Sequence, residues 1–216
     1  MTLDEVLVEE MPGAKFGVLS GPSHAEEVSV DMPTAMVVAS EDESLCNMLA
    51  NIFKSDTMRI YTSSDVKGVE LGGALKNIIA FCAGVLNGLG LGDNSFAALI
   101  TRGLAEISRI GVVLGGKKDT FYGLTGLGDL IVTCASEHSR NRKAGMLIGQ
   151  GNTIEETREK VGMTIESIDN IDVAYKLANK FNVEVPIINT VYNVLYNNLS
   201  PKDGVVQLMR RELKQE

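Results

Sequence analysis

From Leu71 to Gly92 the chain runs for 22 residues with a single charged side chain, Lys76. A run of that length can cross a bilayer. Against a membrane span stand Lys76, Asn77 and Asn87, glycines crowded toward both ends, and the lack of basic flanks. The stretch therefore reads as a buried helix of a globular domain, and its one ammonium needs a reason to be there. On an apolar helix an ammonium loses hydration, so it must find a carboxylate, face a wet cleft or hold its proton less tightly. A lysine in such a setting can exchange a proton with a substrate oxygen.

Composition narrows the classes around that helix. With 216 residues, 44% of them hydrophobic and 22% charged, the chain holds enough apolar mass for one or two packed domains. A formal charge of −8 argues against a nucleic-acid or anionic-membrane surface, so any bound anion must be gripped locally. Cys46, Cys82 and Cys134 lie far apart without metal spacing or a disulfide framework, which fits a reducing cytoplasm. Two histidines, His24 and His138, make a zinc site or a histidine-centred triad a poor fit. The start, Met1-Thr-Leu-Asp-Glu-Val6, is acidic where a secretory signal is basic.

The chain changes character near Ser64. Before it, Phe16–Ser20, Thr34–Ala39 and Met58–Thr62 are short β-branched or aromatic segments bounded by glycine and proline, and read as three strands. One helix, Ser44–Phe53, separates the second from the third, and Glu41-Asp-Glu43 reads as a solvated turn. From Asp65 onward helical periodicity dominates, over 66–86, 95–114, 126–133, 140–148, 154–161, 167–181, 187–197 and 201–213. Thr153-Ile-Glu-Glu156 is a capping box, and Ser200-Pro201 places a capping hydroxyl before a first-turn proline. The expected architecture is an α/β remnant over 1–64, the end of a dinucleotide-binding sheet, then an all-α domain over 65–216.

Four constellations carry chemistry. Ser20-Gly-Pro-Ser23-His24 follows a strand, where backbone amides and a hydroxyl can approach a ligand; an ordinary strand-to-helix turn has the same composition, and His24 alone reads as a surface or capping residue. Lys76-Asn77 sits after Gly72 and Gly73, which let another backbone or a flat ligand come close; the bland alternative is a snorkelling lysine. Gly123-Leu-Thr-Gly-Leu-Gly128 runs into Asp129, either a lysine partner or a plain helix-start acid. Ser139-Arg140-Asn141 collects donors suited to phosphate oxygens at a helix start, with Arg142 and Lys143 more simply solvated.

In this order, Leu19-Ser-Gly-Pro-Ser23 with Ala25-Glu-Glu27, Gly73-Ala-Leu-Lys-Asn77, Gly123–Leu130, Ser139–Arg142, Gly162–Glu166 and Val183–Ile187 resemble the bacterial NAD(P)-dependent glycerol-3-phosphate dehydrogenases. The resemblance implies Lys76 as the general acid/base acting on the C2 oxygen of dihydroxyacetone phosphate or glycerol 3-phosphate. It implies substrate contacts at Gly21, Ser23, Lys76, Asp129, Ser139, Arg140 and Asn141, with Thr133 a weaker analogy. It implies NAD or NADP contacts at Ala25, Arg140, Thr164 and Glu166. No metal is implied; a homo-oligomer, possibly a dimer, and a role in phospholipid biosynthesis are.

The departures are as informative. No Gly-x-Gly-x-x-Gly pyrophosphate turn precedes Phe16, and Gly88–Gly92 and Gly126–Gly128 have the wrong spacing. Ser167 stands where relatives usually place glycine. Two readings follow: the catalytic portion of a dehydrogenase that needs a nucleotide-binding half, or a non-catalytic module that folds, dimerises or binds phosphate. The wider β-hydroxyacid dehydrogenases also carry a lysine on a long helix, but with an asparagine one turn later, where this chain has Ala80. Strands without sheet partners further predict self-association.

Overall fold

The computed structural model describes residues 2–213 and Gln215. The chain forms two compact units, Met1–Lys76 with Ile107–Ala135, and Asn77–Glu106 with Ser136–Glu216. The first unit combines a small three-stranded sheet with helices, and the described residues of the second form helices alone among their regular elements.

The first unit holds α1 (Leu3–Glu10), β1 (Val18–Ser20), α2 (Ala25–Val28), β2 (Thr34–Ala39), α3 (Glu43–Phe53) and β3 (Met58–Ser63). The opening of α4 (Val66–Gly88) and the close of α5 (Asp93–Val113) follow, then α6 (Lys118–Phe121), a π turn over Leu124–Gly128, and α7 (Asp129–Ala135). All three expected strands are present. β2 lies in the middle, antiparallel to β1 with Val18 opposite Ala39 and parallel to β3 with Thr34 opposite Met58. Ala39 packs with Val66 and Val69 of α4, and Phe16, Val18 and Val37 close over them. Burying such β-branched residues on one sheet face supplies the driving force for docking α4.

Acidic side chains tie this unit together. Asp65, 6% exposed, accepts from Gly68 N at 3.0 Å, Lys117 N at 2.8 Å and the Thr120 hydroxyl at 2.5 Å. One carboxylate thereby caps α4 and fixes the segment after α5. The acidic stretch at 41–43 is more than a solvated turn: Asp42 caps α3 by accepting from Ser44 N and Leu45 N, and it pairs with Lys15 at 2.5 Å.

Helices α1, α2 and α6 carry no sequence periodicity that marks them. Two of these are four residues long, and α1 buries none of its side chains, so periodicity has little to report. Capping and charge hold α1 instead. Thr2 and Glu5 form a capping box, Lys67 pairs with Glu5, and Glu70 accepts from Asp4 N at 3.1 Å.

The second unit holds the rest of α4 and α5, then α8 (Arg140–Gly149), α9 (Ile154–Val161), α10 (Glu166–Lys180), α11 (Pro186–Tyr196) and α12 (Pro201–Met209). Ile78, Ile79, Phe81, Ile168, Ile171 and Ile188 are at most 2% exposed and form its apolar interior. Both expected caps are present, the Thr153 box on α9 and Ser200 before Pro201 on α12. Helix α12 stops at Met209, short of the expected Leu213, and Arg211 pairs with Glu184 beyond its end. Helices α4 and α8 cross in near backbone contact. A Cβ on Gly84 would strike the Arg142 carbonyl, and one on Gly145 the Phe81 carbonyl. Only glycine permits that approach, and it fixes where α8 begins.

Of the described helices, α4 alone is long and apolar enough to cross a membrane, and 72% of its most apolar window is buried inside the protein.

Candidate active site

In the first unit the solitary lysine has its carboxylate. Lys76 on α4 pairs with Asp129 at the start of α7, the lysine side chain 17% exposed and the aspartate 6%. Asp129 thus serves as a lysine partner as well as a helix-start acid, and Lys76 does not snorkel. Thr133, one turn along α7, donates to the Asp129 carbonyl at 2.6 Å and lies 3.2 Å from its carboxylate.

Electrostatics at Asp129 follow from where it sits. Burial raises its pKa, while the Lys76 charge and hydrogen bond, the Thr133 hydroxyl and the His24 charge pull the other way without cancelling the rise. A carboxylate held toward its protonated form beside an ammonium is suited to passing a proton within the pair.

The π turn sets this geometry. A Cβ on Gly72 would lie 2.9 Å from the Thr125 carbonyl, so the turn packs directly on α4 one helical turn before Lys76. The expected helix over 126–133 therefore starts at Asp129, after a π turn of the sort that recurs at functional sites. In the β1–α2 loop, Gly21 takes φ 138° and Ser23 donates to the Gly21 carbonyl at 3.0 Å. Ala25, the expected cofactor contact, opens α2 and is exposed.

The second unit assembles the other set. Ser139 caps α8 by accepting from Arg142 N at 3.2 Å, leaving Arg140 exposed in the first turn of that helix. Asn141 Oδ1 accepts from Ser167 N at 3.0 Å, which fixes the amide orientation and leaves its Nδ2 to donate elsewhere. Asn77, 6% exposed, donates from Nδ2 to Glu166 Oε2 at 2.8 Å. The expected cofactor residue Glu166 and the residue after Lys76 are thus partners across 89 positions of sequence. Thr164 is exposed just before α10. Sequence alone could not pair Asn77 with Glu166 or Asn141 with Ser167, since neither contact leaves a local pattern. Ser167 is a departure with a visible local result: its N–H serves Asn141 while its hydroxyl is buried.

Two family profiles match the chain, "NAD-dependent glycerol-3-phosphate dehydrogenase C-terminus" over residues 65–206 and "NAD-dependent glycerol-3-phosphate dehydrogenase N-terminus" over residues 1–46. A glycerol-3-phosphate dehydrogenase [NAD(P)+] of Clostridium botulinum is 55% identical over 211 residues, covering 98% of this chain and 64% of the relative. One from Fusobacterium nucleatum is 52% identical, covering 100% and 65%. The crystal structure of glycerol-3-phosphate dehydrogenase from Coxiella burnetii superposes with a TM-score of 0.93 at 40% identity, over 97% of this chain and 65% of that one. That of Saccharomyces cerevisiae gives 0.86 at 27% identity, over 97% and 63%. The chain thus spans 64–65% of the length of these curated relatives. By its profile match, its sequence identity and its fold, the chain belongs to the NAD-dependent glycerol-3-phosphate dehydrogenase family.

Proposed function

We propose that this chain supplies the acid/base and substrate-gripping groups of an NAD(P)-dependent glycerol-3-phosphate dehydrogenase. The observation that carries the reading is the buried Lys76–Asp129 pair, with Thr133 beside it, inside motifs that match the family. In reduction of dihydroxyacetone phosphate, Lys76 gives its proton to the C2 oxygen as that carbon receives hydride; in the reverse direction neutral Lys76 removes the hydroxyl proton. Asp129 holds the ammonium in place and balances its charge. Arg140 and the Nδ2 of Asn141 offer charge-assisted donors to the phosphate, at the start of the helix that Ser139 caps. Gly21 and Ser23 complete the substrate contacts.

The nicotinamide cofactor, NAD or NADP, supplies the hydride when bound. Residues here suited to touch it are Ala25, Arg140, Thr164 and Glu166, and Glu166 is already oriented by Asn77. The 216 residues contain no Gly-x-Gly-x-x-Gly turn to cradle a pyrophosphate. We therefore read residues 1–64 as the end of a dinucleotide-binding domain and 65–216 as the substrate domain, with turnover requiring a nucleotide-binding half. β1 and β3 each have one edge without a strand among the described residues, and Leu19 and Tyr61 are exposed, which supports a homo-oligomer such as a dimer. Three buried thiols support a cytoplasmic setting, and the product, glycerol 3-phosphate, suits phospholipid biosynthesis.

Reconstitution tests this reading. A separately made nucleotide-binding half mixed with the 216-residue chain is expected to oxidise NADH or NADPH with dihydroxyacetone phosphate, and Lys76→Ala is expected to abolish it. Full activity in Lys76→Ala would remove the proton-transfer assignment. Robust turnover by the 216-residue chain alone would remove the requirement for a second half, leaving a complete enzyme. Folding and self-association without turnover in any mixture would favour the non-catalytic module instead.

A further inference from the structure

Among the described residues of the first unit two acids are buried, Asp129 and Asp65, and only Asp129 has a part in the proposed reaction. Asp65 lies just before α4. Its Oδ1 accepts from Gly68 N at 3.0 Å, inside the first turn of that helix. Its Oδ2 accepts from Lys117 N at 2.8 Å and from the Thr120 hydroxyl at 2.5 Å, on the segment that leads out of α5. A plain helix cap needs only the first of these bonds. A Cβ on Gly68 would run into Asp65 Oδ2, so glycine there leaves the carboxylate room for the other two.

Those two donors open a strap that follows α4 as far as the acid/base pair. Gly68, Gly72 and Lys76 are spaced by four and share one face of α4. Gly116, Thr125 and Asp129 meet that face in the same order. A Cβ on Gly116 would lie 2.9 Å from Gly68 Cα, one on Gly72 would lie 2.9 Å from the Thr125 carbonyl oxygen, and Lys76 pairs with Asp129. Between its ends the strap is tightly packed. Phe121 of α6 is fully buried, and a Cβ on Gly111 of α5 would strike its ring while one on Gly126 of the π turn would strike its carbonyl. Groups packed this closely pass a displacement on rather than absorb it. A shift at Thr120 is therefore carried through Phe121 and the π turn to Asp129.

We infer that Asp65 is a positioning residue of the acid/base site: by gripping Lys117 N and the Thr120 hydroxyl it sets where the strap lies along α4, and so how closely Asp129 meets Lys76. It acts from about three helical turns before Lys76, through the strap rather than on the pair itself. Releasing the grip lets the strap slide and the two charges separate, and their attraction falls as the distance between them grows. The bearing on catalysis rests on Lys76 and Asp129 being the proton-transfer pair. The physical content, alignment of that pair by a remote carboxylate, is measurable without turnover.

The test reads the pair in the isotopically labelled 216-residue chain by carbon-detected titration of the Asp129 carboxyl. Burial raises that carboxyl and Lys76 pulls it down, with the Thr133 hydroxyl and the His24 charge as lesser influences common to every variant. Lys76→Met is therefore expected to raise the Asp129 midpoint by about one to three pH units, and the size of that rise measures the coupling of the pair. In Thr120→Val, which keeps the side-chain shape and removes the hydroxyl, the rise is expected to fall to about half or less of its wild-type size. Thr120→Ser keeps the hydroxyl and is expected to restore it. Asp65→Asn retains one acceptor oxygen, cannot serve both Gly68 N and the strap, and is expected to lose coupling as Thr120→Val does. A hydroxyl that served stability alone would lower the denaturation midpoint and leave the rise unchanged. An unchanged rise in either folded Thr120→Val or folded Asp65→Asn overturns the inference, and so does a reduced rise that Thr120→Ser fails to restore. Failure of both variants to fold also overturns it, since the carboxylate would then build the unit rather than align the pair. Because no turnover is read, failed reconstitution would strike the proposed function and leave this alignment standing, whereas an unchanged rise beside full reconstituted activity would strike the alignment alone.

Discussion

Lys76 and Asp129 meet where little water reaches, whereas Arg140 stands exposed at the start of a helix. The two arrangements belong to different units of the chain and are built by different means. In the first, a π turn pressed on Gly72 and a helix start bring opposite charges together away from solvent. In the second, neutral hydrogen bonds orient the working groups, Ser139 capping α8 and Asn141 accepting from Ser167 N. The proton transfer proposed for this pair gains from low dielectric, because each charge then strongly biases the other. The phosphate contact proposed for Arg140 is compatible with a wet approach, since its guanidinium keeps its charge in any setting. The first unit accordingly spends packing precision on charge, and the second on direction.

Breaking the dry pair is expected to have the largest effect. Asp129→Ala leaves the Lys76 ammonium without its carboxylate and is expected to lower unfolding free energy by about 3 kcal/mol in a denaturant titration. The double change Lys76→Met with Asp129→Leu is expected to recover most of that loss while remaining inactive. If the double variant were as unstable as the single, burial of charge would not be what sets the cost.

Helix crossing in the second unit comes next. Gly145→Ala places a Cβ against the Phe81 carbonyl, and about 2–3 kcal/mol of stability is expected to go as α4 and α8 move apart. Gly72→Ala is expected to cost less, about 1–2 kcal/mol, because the Thr125 carbonyl at 2.9 Å can retreat with the π turn. That retreat carries Asp129 away from Lys76, so in a reconstituted enzyme the Gly72 variant is expected to lose kcat well beyond its stability loss. A kcat unchanged in folded Gly72→Ala would mean that the turn does not set the pair. On the wet side, Ser139→Ala removes the α8 cap and is expected to cost about 1 kcal/mol, with KM for the phosphorylated substrate rising more than kcat falls.

The smallest expected effect is on pH dependence, and it belongs to the first unit. Burial, then the neighbouring Asp4 carboxylate, pushes Glu70 from 4.5 up to about 7. A group whose folded pKa is raised binds its proton more tightly in the native state. Its stabilising contribution is therefore complete below about 4.5 and is lost as pH rises through about 7. Asp129, raised by burial, adds to the same trend. The denaturation midpoint is expected to fall modestly between pH 5 and pH 8, and Glu70→Gln is expected to flatten that slope. A midpoint that rose with pH in the wild-type chain would contradict the assignment.

Much of this was legible before any fold was drawn. The three strands, the long apolar helix and the caps at Thr153 and Ser200 come from local patterns, and those patterns act over one or two turns of chain. That Lys76 had to find a carboxylate, face a wet cleft or hold its proton less tightly was legible too, because an ammonium on an apolar helix loses hydration, but which of these it does was not. Helix α1 escaped notice because none of its side chains is buried; contacts from Lys67 and Glu70, more than 60 residues away, hold it.

What the amino-acid order determined by itself was which segments would be helix or strand and which residue types would be available for chemistry. Only the tertiary structure decided that Asp129 answers Lys76, that a π turn rather than a helix leads into it, and that Asn77 orients Glu166. Periodicity and capping are short-range and leave a signature in neighbouring residues. A contact between positions 89 apart is settled by how whole helices pack, and that depends on every glycine that lets two backbones approach.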